Sequence, residues 1–313
     1  MTRASTTFPR AAVHSIDHFA LNVPSLDDAH RFFDAFGLTV SRTGSQGGEL
    51  EIRATDGHRW ARVLAGDGKS MAYLSFNCYP DDLASLRQQT ISAGATDVAS
   101  VQGNADAGFW FRDPDGNLVQ VQVGPKTSPD SKIVRTERGV PADIRGALTR
   151  NEVARVRPRR LSHVLLFTPD VLQAVAFYER ALGLRLSDKS LDLIAFTHAP
   201  HGCDHHLVAF AKSSARGWHH SSWDVDSVDL VGEGAAQMAA AGYAKGWGTG
   251  RHVLGSNYFH YVEDPWGSFC EYSADIDFVS AGRDWPAGDF APENSLYLWG
   301  PAVPENFTQN SEA

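Results

Sequence analysis

The 313-residue sequence is poor in cysteine, in long apolar runs and in clustered positive charge. Its three cysteines, Cys78, Cys203 and Cys270, are too widely spaced for a disulfide framework or a zinc knuckle, which favours a reducing cytoplasm. No apolar run approaches the roughly 20 residues that a membrane span needs, and the stretch before Ser15 lacks the apolar segment of a secretory signal. A formal net charge of −9 without a basic stripe argues against nucleic-acid binding.

Histidine, by contrast, is plentiful and unevenly placed. The chain has 13 histidines, and most of them follow residue 160, which is where we expect the chemistry to lie. The length exceeds what one typical hydrophobic core needs, so two domains are expected. A content of 42% hydrophobic and 21% charged residues is ordinary for a globular protein.

Two segments of the chain resemble each other. They are SIDHFALNVPSLDDAHRFFDAFGLTV, residues 15–40, and RLSHVLLFTPDVLQAVAFYERALGLRL, residues 160–186. Each begins with an apolar strand that carries a histidine, passes a proline into an amphipathic helix, and reaches Gly-Leu where the helix should end. Self-similarity of this kind indicates a duplicated structural unit.

The two halves also end alike, because WFRDPDGNLVQVQ from Trp110 mirrors YVEDPWGSFCEYS from Tyr261. Asp-Pro-x-Gly predicts a tight turn, and the alternating apolar residues around it predict the strands of a hairpin. We therefore expect an α+β fold in four parts. They are a first domain over residues 14–125, a polar linker over 126–159, a second domain over 160–277, and a tail over 278–313 that wraps over the surface or the site mouth.

Aligning the two halves separates scaffold from chemistry, since scaffold residues should persist in both. Three polar positions correspond: His163 with His18, His220 with Tyr73, and Glu271 with Gln120. Two imidazoles and one carboxylate form the facial triad of non-haem Fe(II) oxygen chemistry, which leaves three coordination positions open. The His, Tyr and Gln of the first half make no such set, so a metal is expected in the second half alone.

With these motifs, the sequence resembles the type I extradiol ring-cleavage dioxygenases of the vicinal oxygen chelate superfamily, over about residues 14–277. The motifs that carry the resemblance are LSHVLL around His163, HHLVAF from His205, WHH from Trp218, GRH from Gly250 and YVEDPWGSFCEY from Tyr261. The resemblance implies two tandem vicinal oxygen chelate domains, each of paired βαβββ modules that form a curved mixed sheet around a cavity. It also implies Fe(II), or alternatively Mn(II), as cofactor and O2 as co-substrate.

The resemblance also assigns roles to residues. The metal ligands of the family match His163, His220 and Glu271, and strand alternation supports His220 over its neighbour His219. The catalytic groups of the family match His206, His252 and Tyr261. An apolar, aromatic pocket is expected around this polar centre, with Trp218, Trp247 and Phe259 as candidates for substrate contact. No role is assigned to His205 or His219.

The function that this predicts is cleavage of a catechol-type ring next to its diol, with both atoms of O2 entering the product. A monocyclic, bicyclic or trihydroxylated small aromatic diol would be the substrate, and a homo-oligomer is expected. Alternatives on the same fold are a hydroquinone-cleaving enzyme, a hydroxyphenylpyruvate-type 2-oxoacid dioxygenase, a glyoxalase-type isomerase and a metal-free binding protein. Metal analysis separates the binding protein from the enzymes, and oxygen uptake separates the dioxygenases from the isomerase.

Overall fold

The computed structural model describes residues 10–99, 108–133 and 140–313. Its first half forms an eight-stranded sheet. The strands are β1 (Ser15–Val23), β2 (Thr39–Thr43), β3 (Glu49–Arg53), β4 (Arg59–Ala65), β5 (Ser70–Cys78), β6 (Thr96–Val98), β7 (Gly108–Arg112) and β8 (Leu118–Val123). Residues 134–139 of the expected linker lie outside the described residues.

The second half and the tail form a ten-stranded sheet, together with a two-stranded one made of β12 and β18. The strands are β9 (Arg160–Thr168), β10 (Arg185–Ser190), β11 (Ile194–His198), β12 (Cys203–Asp204), β13 (Val208–Lys212), β14 (Gly217–Asp224), β15 (Gly246–His252), β16 (Tyr258–Glu263), β17 (Phe269–Ala274), β18 (Phe278–Val279), β19 (Gly288–Asp289) and β20 (Tyr297–Trp299).

Helices cover one side of each sheet. They are α1 (Leu26–Ala35), α2 (Leu83–Ser92), α3 (Val171–Leu182) and α4 (Val228–Ala240). Side chains of Ser25, Asp170 and Ser227 accept backbone hydrogen bonds at the starts of α1, α3 and α4, which satisfies N–H groups that have no partner within the helix. Short 3₁₀ turns occur at Ser45–Gly47, Pro80–Asp82, Pro292–Asn294 and Glu305–Thr308.

The two sheets share one strand order. The first sheet runs β2-β3-β4-β1-β5-β8-β7-β6, and the second runs β10-β11-β13-β9-β14-β17-β16-β15, with β19 and β20 added at its edges. The duplication inferred from the sequence is thus visible in the topology, and the α+β fold class is confirmed. Both Gly-Leu helix ends are also present, since Gly37 and Gly183 take positive φ values of 96° and 69° just after α1 and α3.

The Asp-Pro-x-Gly segments form the expected turns. The Gly116 N–H donates to the Asp113 carbonyl over 2.9 Å, and the Gly267 N–H donates to the Asp264 carbonyl over 3.3 Å. These turns join β7 to β8 and β16 to β17 as antiparallel pairs. They return the chain so that β8 and β17 lie beside the central strands β5 and β14.

One hydrophobic core runs through both halves. Across the boundary, the Phe36 and Tyr272 rings stack with centroids 3.9 Å apart and planes 8° apart, and the Tyr272 hydroxyl donates to the Phe36 carbonyl. The Phe19 ring likewise contacts Trp218, 4.6 Å between centroids. Within the described residues, no helix is both long enough and apolar enough to cross a membrane.

Candidate metal centre

Three adjacent strands of the second sheet bring the expected ligands together. His163 lies on β9, His220 on β14 and Glu271 on β17, and ligand atoms of the three residues lie within 4.8 Å of one another. The register explains the convergence: Ser222 of β14 is opposite both His163 and Glu271. Nε2 of His163 is 3.3 Å and Nε2 of His220 is 3.7 Å from Oε2 of Glu271.

The donor atoms of this cluster fit a divalent cation. All three side chains are buried, and within the part of the chain that the structure describes neither Nε2 of His220 nor Oε2 of Glu271 has a hydrogen-bond partner. Leaving buried polar atoms without partners costs roughly 1–3 kcal/mol each. A metal ion bound by two imidazole nitrogens and one carboxylate oxygen would satisfy them all, and this donor set suits Fe(II) or Mn(II).

The ionisation of the cluster also suits a cation. Burial, followed by the neighbouring His219 and His163, lowers the pKa of His220 well below its usual value, so its imidazole is neutral and offers a lone pair. Burial acts to raise the pKa of Glu271, but the adjacent His163 outweighs it and the net pKa is lowered. The cluster therefore offers the carboxylate of Glu271 and the neutral imidazole of His220.

Outer contacts orient two of these side chains. The Asn257 amide donates to Oε1 of Glu271 over 3.0 Å and to the Ser273 hydroxyl over 2.9 Å. Nδ1 of His163 lies 3.3 Å from the Ser162 hydroxyl, which itself donates to Asp204. Partners of this kind fix the ring tautomer and the carboxylate angle at metal sites. Sequence reasoning missed Asn257, because it precedes β16 in a loop that carries no recognisable pattern.

His206 lies against the cluster. Its ring centroid is 3.9 Å from that of His163. The residue lies in the loop before β13. Burial, followed by the surrounding His163, His205, His220 and His252, lowers its pKa well below the usual value. Its Nδ1 lies 3.1 Å from Nδ1 of His205.

His205 connects His206 to a carboxylate. Nε2 of His205 donates to Oδ2 of Asp188 over 2.8 Å. A histidine without an assigned role in the sequence thus links His206 to Asp188.

His252 and Tyr261 form a pair on another side of the cluster. The Tyr261 hydroxyl is 2.9 Å from Nε2 of His252, which in turn is 3.7 Å from Oε1 of Glu271. Nδ1 of His252 lies 2.7 Å from the Leu296 carbonyl in the tail. Burial, followed by the Glu271 charge, raises the pKa of Tyr261 well above its usual value, so the phenol stays protonated.

A cavity of about 330 Å³ joins these groups. His163, His206, His220, His252 and Tyr261 lie at one end, and the walls are largely apolar. The apolar residues are Leu165, Phe167, Leu193, Ile194, Phe196, Ala211, Leu254, Pro292, Leu296 and Phe307. Among the described residues that line it, Lys212 is the one lysine or arginine, and Asp192 binds it in a half-exposed ion pair. Leu296 and Phe307 belong to the C-terminal tail, so the tail forms part of the cavity wall.

The three aromatic residues expected to contact substrate do not line the cavity. Trp218 packs against Phe19 of the first half, since an irregularity in the pairing of β14 with β9 falls between Trp218 and His220 and breaks the alternation of side chains. Phe259 stacks behind His252, 4.0 Å between centroids, and Trp247 stacks behind Tyr261, 5.7 Å between centroids. The Phe259 and Trp247 rings therefore pack against His252 and Tyr261 and do not face the cavity.

The same irregularity corrects the argument from strand alternation. His219 and His220 do not face opposite sides: both line the cavity, and their Nδ1 atoms are 2.7 Å apart. The choice of His220 as ligand depends instead on its Nε2, which approaches Glu271. The adjacent pair of histidines was the signal in the sequence that could have drawn attention to His219.

The corresponding positions of the first half hydrogen-bond to side chains of that half. Nε2 of His18 is 2.9 Å from the Tyr73 hydroxyl, which also accepts from Nη1 of Arg62 over 2.9 Å. The Gln120 amide oxygen accepts from the Ser75 hydroxyl over 3.0 Å. An arginine beside a phenol and an amide makes a poor cation site, because the guanidinium repels a second positive charge.

Comparisons with known proteins found relatives of the sequence. The model of the Glyoxalase/Bleomycin resistance protein/Dioxygenase superfamily matches residues 160–272. Metapyrocatechase 2 of Cupriavidus necator is 62% identical over 312 residues, which cover 100% of this chain and 97% of that protein.

Solved structures resemble the fold. A Mn(II)-bound glyoxalase of Novosphingobium aromaticivorans has a TM-score of 0.76 at 24% identity, over 95% of this chain and 94% of that one. A halotolerant catechol dioxygenase, BphC, has a TM-score of 0.72 at 19% identity, over 92% and 94%. Homoprotocatechuate 2,3-dioxygenase of Brevibacterium fuscum has a TM-score of 0.75 at 18% identity, over 96% and 83%.

Proposed function

The chain belongs to the extradiol ring-cleaving dioxygenases of the glyoxalase/bleomycin resistance protein/dioxygenase superfamily, and from this premise we propose how its residues divide the work. The enzyme opens a catechol ring next to the diol and places both atoms of O2 in the product. The observation that carries the assignment of roles is the convergence of His163, His220 and Glu271 with His206, His252 and Tyr261 at one end of a largely apolar cavity.

His163, His220 and Glu271 would hold Fe(II), with Mn(II) as the alternative. The unpartnered Nε2 of His220 and Oε2 of Glu271 support this assignment, and so does the cavity that His163 and His220 line. When bound, the ion would hold both diol oxygens and O2 side by side and let electron density pass from the ring to O2. The first half supplies scaffold, because His18 contacts Tyr73 and Gln120 accepts a hydrogen bond from a neighbouring serine.

His252 and Tyr261 would bind the diol and accept its proton. Because the Leu296 carbonyl can only accept, Nδ1 of His252 carries the ring proton and Nε2 is left as an acceptor for the Tyr261 hydroxyl. This orientation allows the pair to take up the proton that the diol loses on binding. The stacked Phe259 and Trp247 rings keep the pair in place and keep water from behind it.

His206 would act where O2 reacts. Nδ1 of His206 contacts His205, which Asp188 anchors, so Nε2 of His206 is the nitrogen left for the reacting oxygen. That nitrogen would first accept a proton released by the diol, then, as an N–H group, hydrogen-bond the developing negative oxygen and return the same proton as the O–O bond breaks.

The cavity walls favour an uncharged ring substituent. Leu193, Ile194 and Phe196 face the space beyond the polar end, and the nearby Lys212 is already paired with Asp192. A carboxylate in this space would lose its hydration without a free cation to bind, which is costly. Alkyl- or aryl-substituted catechols are therefore the proposed substrates, in preference to acid-bearing ones.

Two further proposals concern the setting of the enzyme. Exposed apolar residues on the edge strand β20, Leu298 and Trp299 among them, support a homo-oligomer. All three cysteines are free and buried, which supports a reducing, cytoplasmic environment.

The test is oxygen uptake by protein loaded anaerobically with Fe(II), with catechol, alkylcatechols, an acid-bearing catechol and a hydroquinone. We expect uptake and a yellow ring-opened product from catechols, with kcat/KM at least about tenfold higher for an alkylcatechol than for the acid-bearing one. His220→Ala should abolish uptake, whereas His58→Ala, half-buried in the first half, should leave it unchanged. Uptake with hydroquinone alone, or none in metal-loaded protein, would overturn the proposal.

A further inference from the structure

The C-terminal tail reaches the metal cluster through its backbone. Nε2 of His219 lies 2.7 Å from the Phe307 carbonyl, and Nδ1 of His219 lies 2.7 Å from Nδ1 of His220. All of these groups are buried. A continuous line of hydrogen bonds therefore runs from a peptide carbonyl of the tail, through one imidazole, to the back of a proposed metal ligand.

The positions of the protons in this line follow from elementary rules. A histidine that binds a metal through Nε2 is neutral and carries its proton on Nδ1. Only one hydrogen fits between two nitrogens 2.7 Å apart, so Nδ1 of His219 must be the acceptor. The ring proton of His219 is then on Nε2, where it faces an oxygen that can only accept.

The opposite tautomer of His219 is excluded at both ends. It would place two N–H groups against each other at His220, and it would turn a nitrogen lone pair toward the Phe307 carbonyl oxygen. The tail carbonyl thus selects the tautomer of His219, and His219 selects the tautomer of His220 that leaves Nε2 free for the metal.

We infer that His219 is a positioning residue of the metal centre, and that the tail segment around Phe307 completes this centre through its backbone carbonyl. The inference rests on the proposed assignment of His220 as a metal ligand. A parallel contact supports it, since the Leu296 carbonyl binds Nδ1 of His252 in the same way. The tail therefore orients two imidazoles of the site through backbone carbonyls, and the Phe307 ring also packs against His219, 4.8 Å between centroids.

The tail is anchored firmly enough for this role. Lys69, from the turn between β4 and β5, reaches the Glu312 carboxylate over 2.8 Å and the Trp218 carbonyl over 3.0 Å, with its side chain 4% exposed. The Asn306 amide donates to Glu263, and the Asn310 amide donates to the Ala215 carbonyl. Anchors on both sides hold the Phe307 carbonyl at a fixed place.

The experiment compares His219→Phe with His219→Asn. Phenylalanine keeps the ring shape but cannot accept from His220, whereas the asparagine side-chain oxygen can accept close to the position of Nδ1. The readout is the dissociation constant for Mn(II), from the electron paramagnetic resonance signal of free Mn(II), with the melting temperature of the metal-free protein as a folding control. We expect the constant to rise about 10–100-fold in His219→Phe and to return most of the way in His219→Asn.

A pair of truncations tests the tail without touching His219. A chain ending at Gln309 keeps the Phe307 carbonyl but loses Glu312, whereas a chain ending at Asn306 loses both. We expect the shorter chain to lose affinity for Mn(II) about as much as His219→Phe, and the longer chain, which keeps the Asn306 anchor but lacks Asn310 and Glu312, to lose clearly less. Phe307→Leu, which keeps the carbonyl, should also bind Mn(II) normally.

Each outcome decides the question. Equal affinity in the full protein and in His219→Phe would overturn the inference, and so would equal losses in His219→Phe and His219→Asn, because packing alone would then explain them. If His219→Phe does not fold, the two truncations decide. Failure of the full protein to bind Mn(II) or Fe(II) would instead overturn the proposed metal site, which separates the two failures.

Discussion

At the scale of single residues, the two halves differ in what fills the space between the same three strands. In the first half an arginine and a phenol occupy it, since Arg62 donates to Tyr73 and Tyr73 contacts His18. In the second half the equivalent space holds His220 and Glu271, with donor atoms directed at each other and at the cavity. Different side chains on a shared scaffold therefore separate a filled core from a candidate reaction site.

His206 provides the sharpest prediction at this scale. His206→Phe should leave the bound metal at one ion per chain, because the His206 ring packs on His163 without belonging to the ligand set. The kcat should fall about 10²–10⁴-fold, the usual loss when a positioned acid or base is removed. Metal analysis and steady-state oxygen uptake measure the two effects. His58→Phe serves as control, and an unchanged kcat in His206→Phe would remove His206 from the reaction.

The metal ligands predicted from the sequence are those that the repeat could compare. The strand register matches the alignment, since His163 and His18 are opposite Ser222 and Ser75, which are themselves opposite Glu271 and Gln120. The residues missed depend on local irregularity. The shifted pairing of β14 turned Trp218 away and brought His219 into the cavity, and Asn257 enters from a loop. No periodic pattern encodes either feature.

At the scale of elements, the turn between β4 and β5 holds the tail. Lys69→Met should lower the free energy of unfolding by about 3 kcal/mol, because it leaves the Glu312 carboxylate without its buried partner. Urea denaturation measures this loss. Lys212→Met is the matched control, since the solvent-exposed pair of Lys212 with Asp192 should contribute little to stability. Equal effects of the two substitutions would mean that the Lys69 contact does not hold the tail.

The elements themselves divide by how well the sequence predicts them. Apolar periodicity with a helix stop predicts β1, α1, β9 and α3, and turn chemistry predicts the hairpins at Asp113 and Asp264. The short strands β12, β18, β19 and β20 have two or three residues each, too few for any periodic signal. The tail strands β18, β19 and β20 pair with β12, β10 and β15, so these short strands exist because tertiary pairing fixes the tail against the second half.

At the scale of the whole molecule, the shared core predicts that the two halves unfold together. The Phe36–Tyr272 stack and the Phe19–Trp218 contact cross the boundary, and one cluster of buried residues includes both sides. Calorimetry should therefore show a single transition. Phe36→Ala should lower the free energy of unfolding by about 3–5 kcal/mol and keep one transition. Two separate transitions in the wild-type protein would show that the halves are independent.

The whole molecule is also the scale of the central claim, that this chain opens a catechol next to its diol with both atoms of O2. The most direct measurement is the product formed from catechol by Fe(II)-loaded enzyme under oxygen-18 gas, analysed at once by mass spectrometry and absorbance. We predict a yellow ring-opened semialdehyde in which both added oxygens are labelled before exchange with water, and no such product from Glu271→Gln. A colourless diacid, or a product that carries one labelled oxygen from the start, would contradict the account.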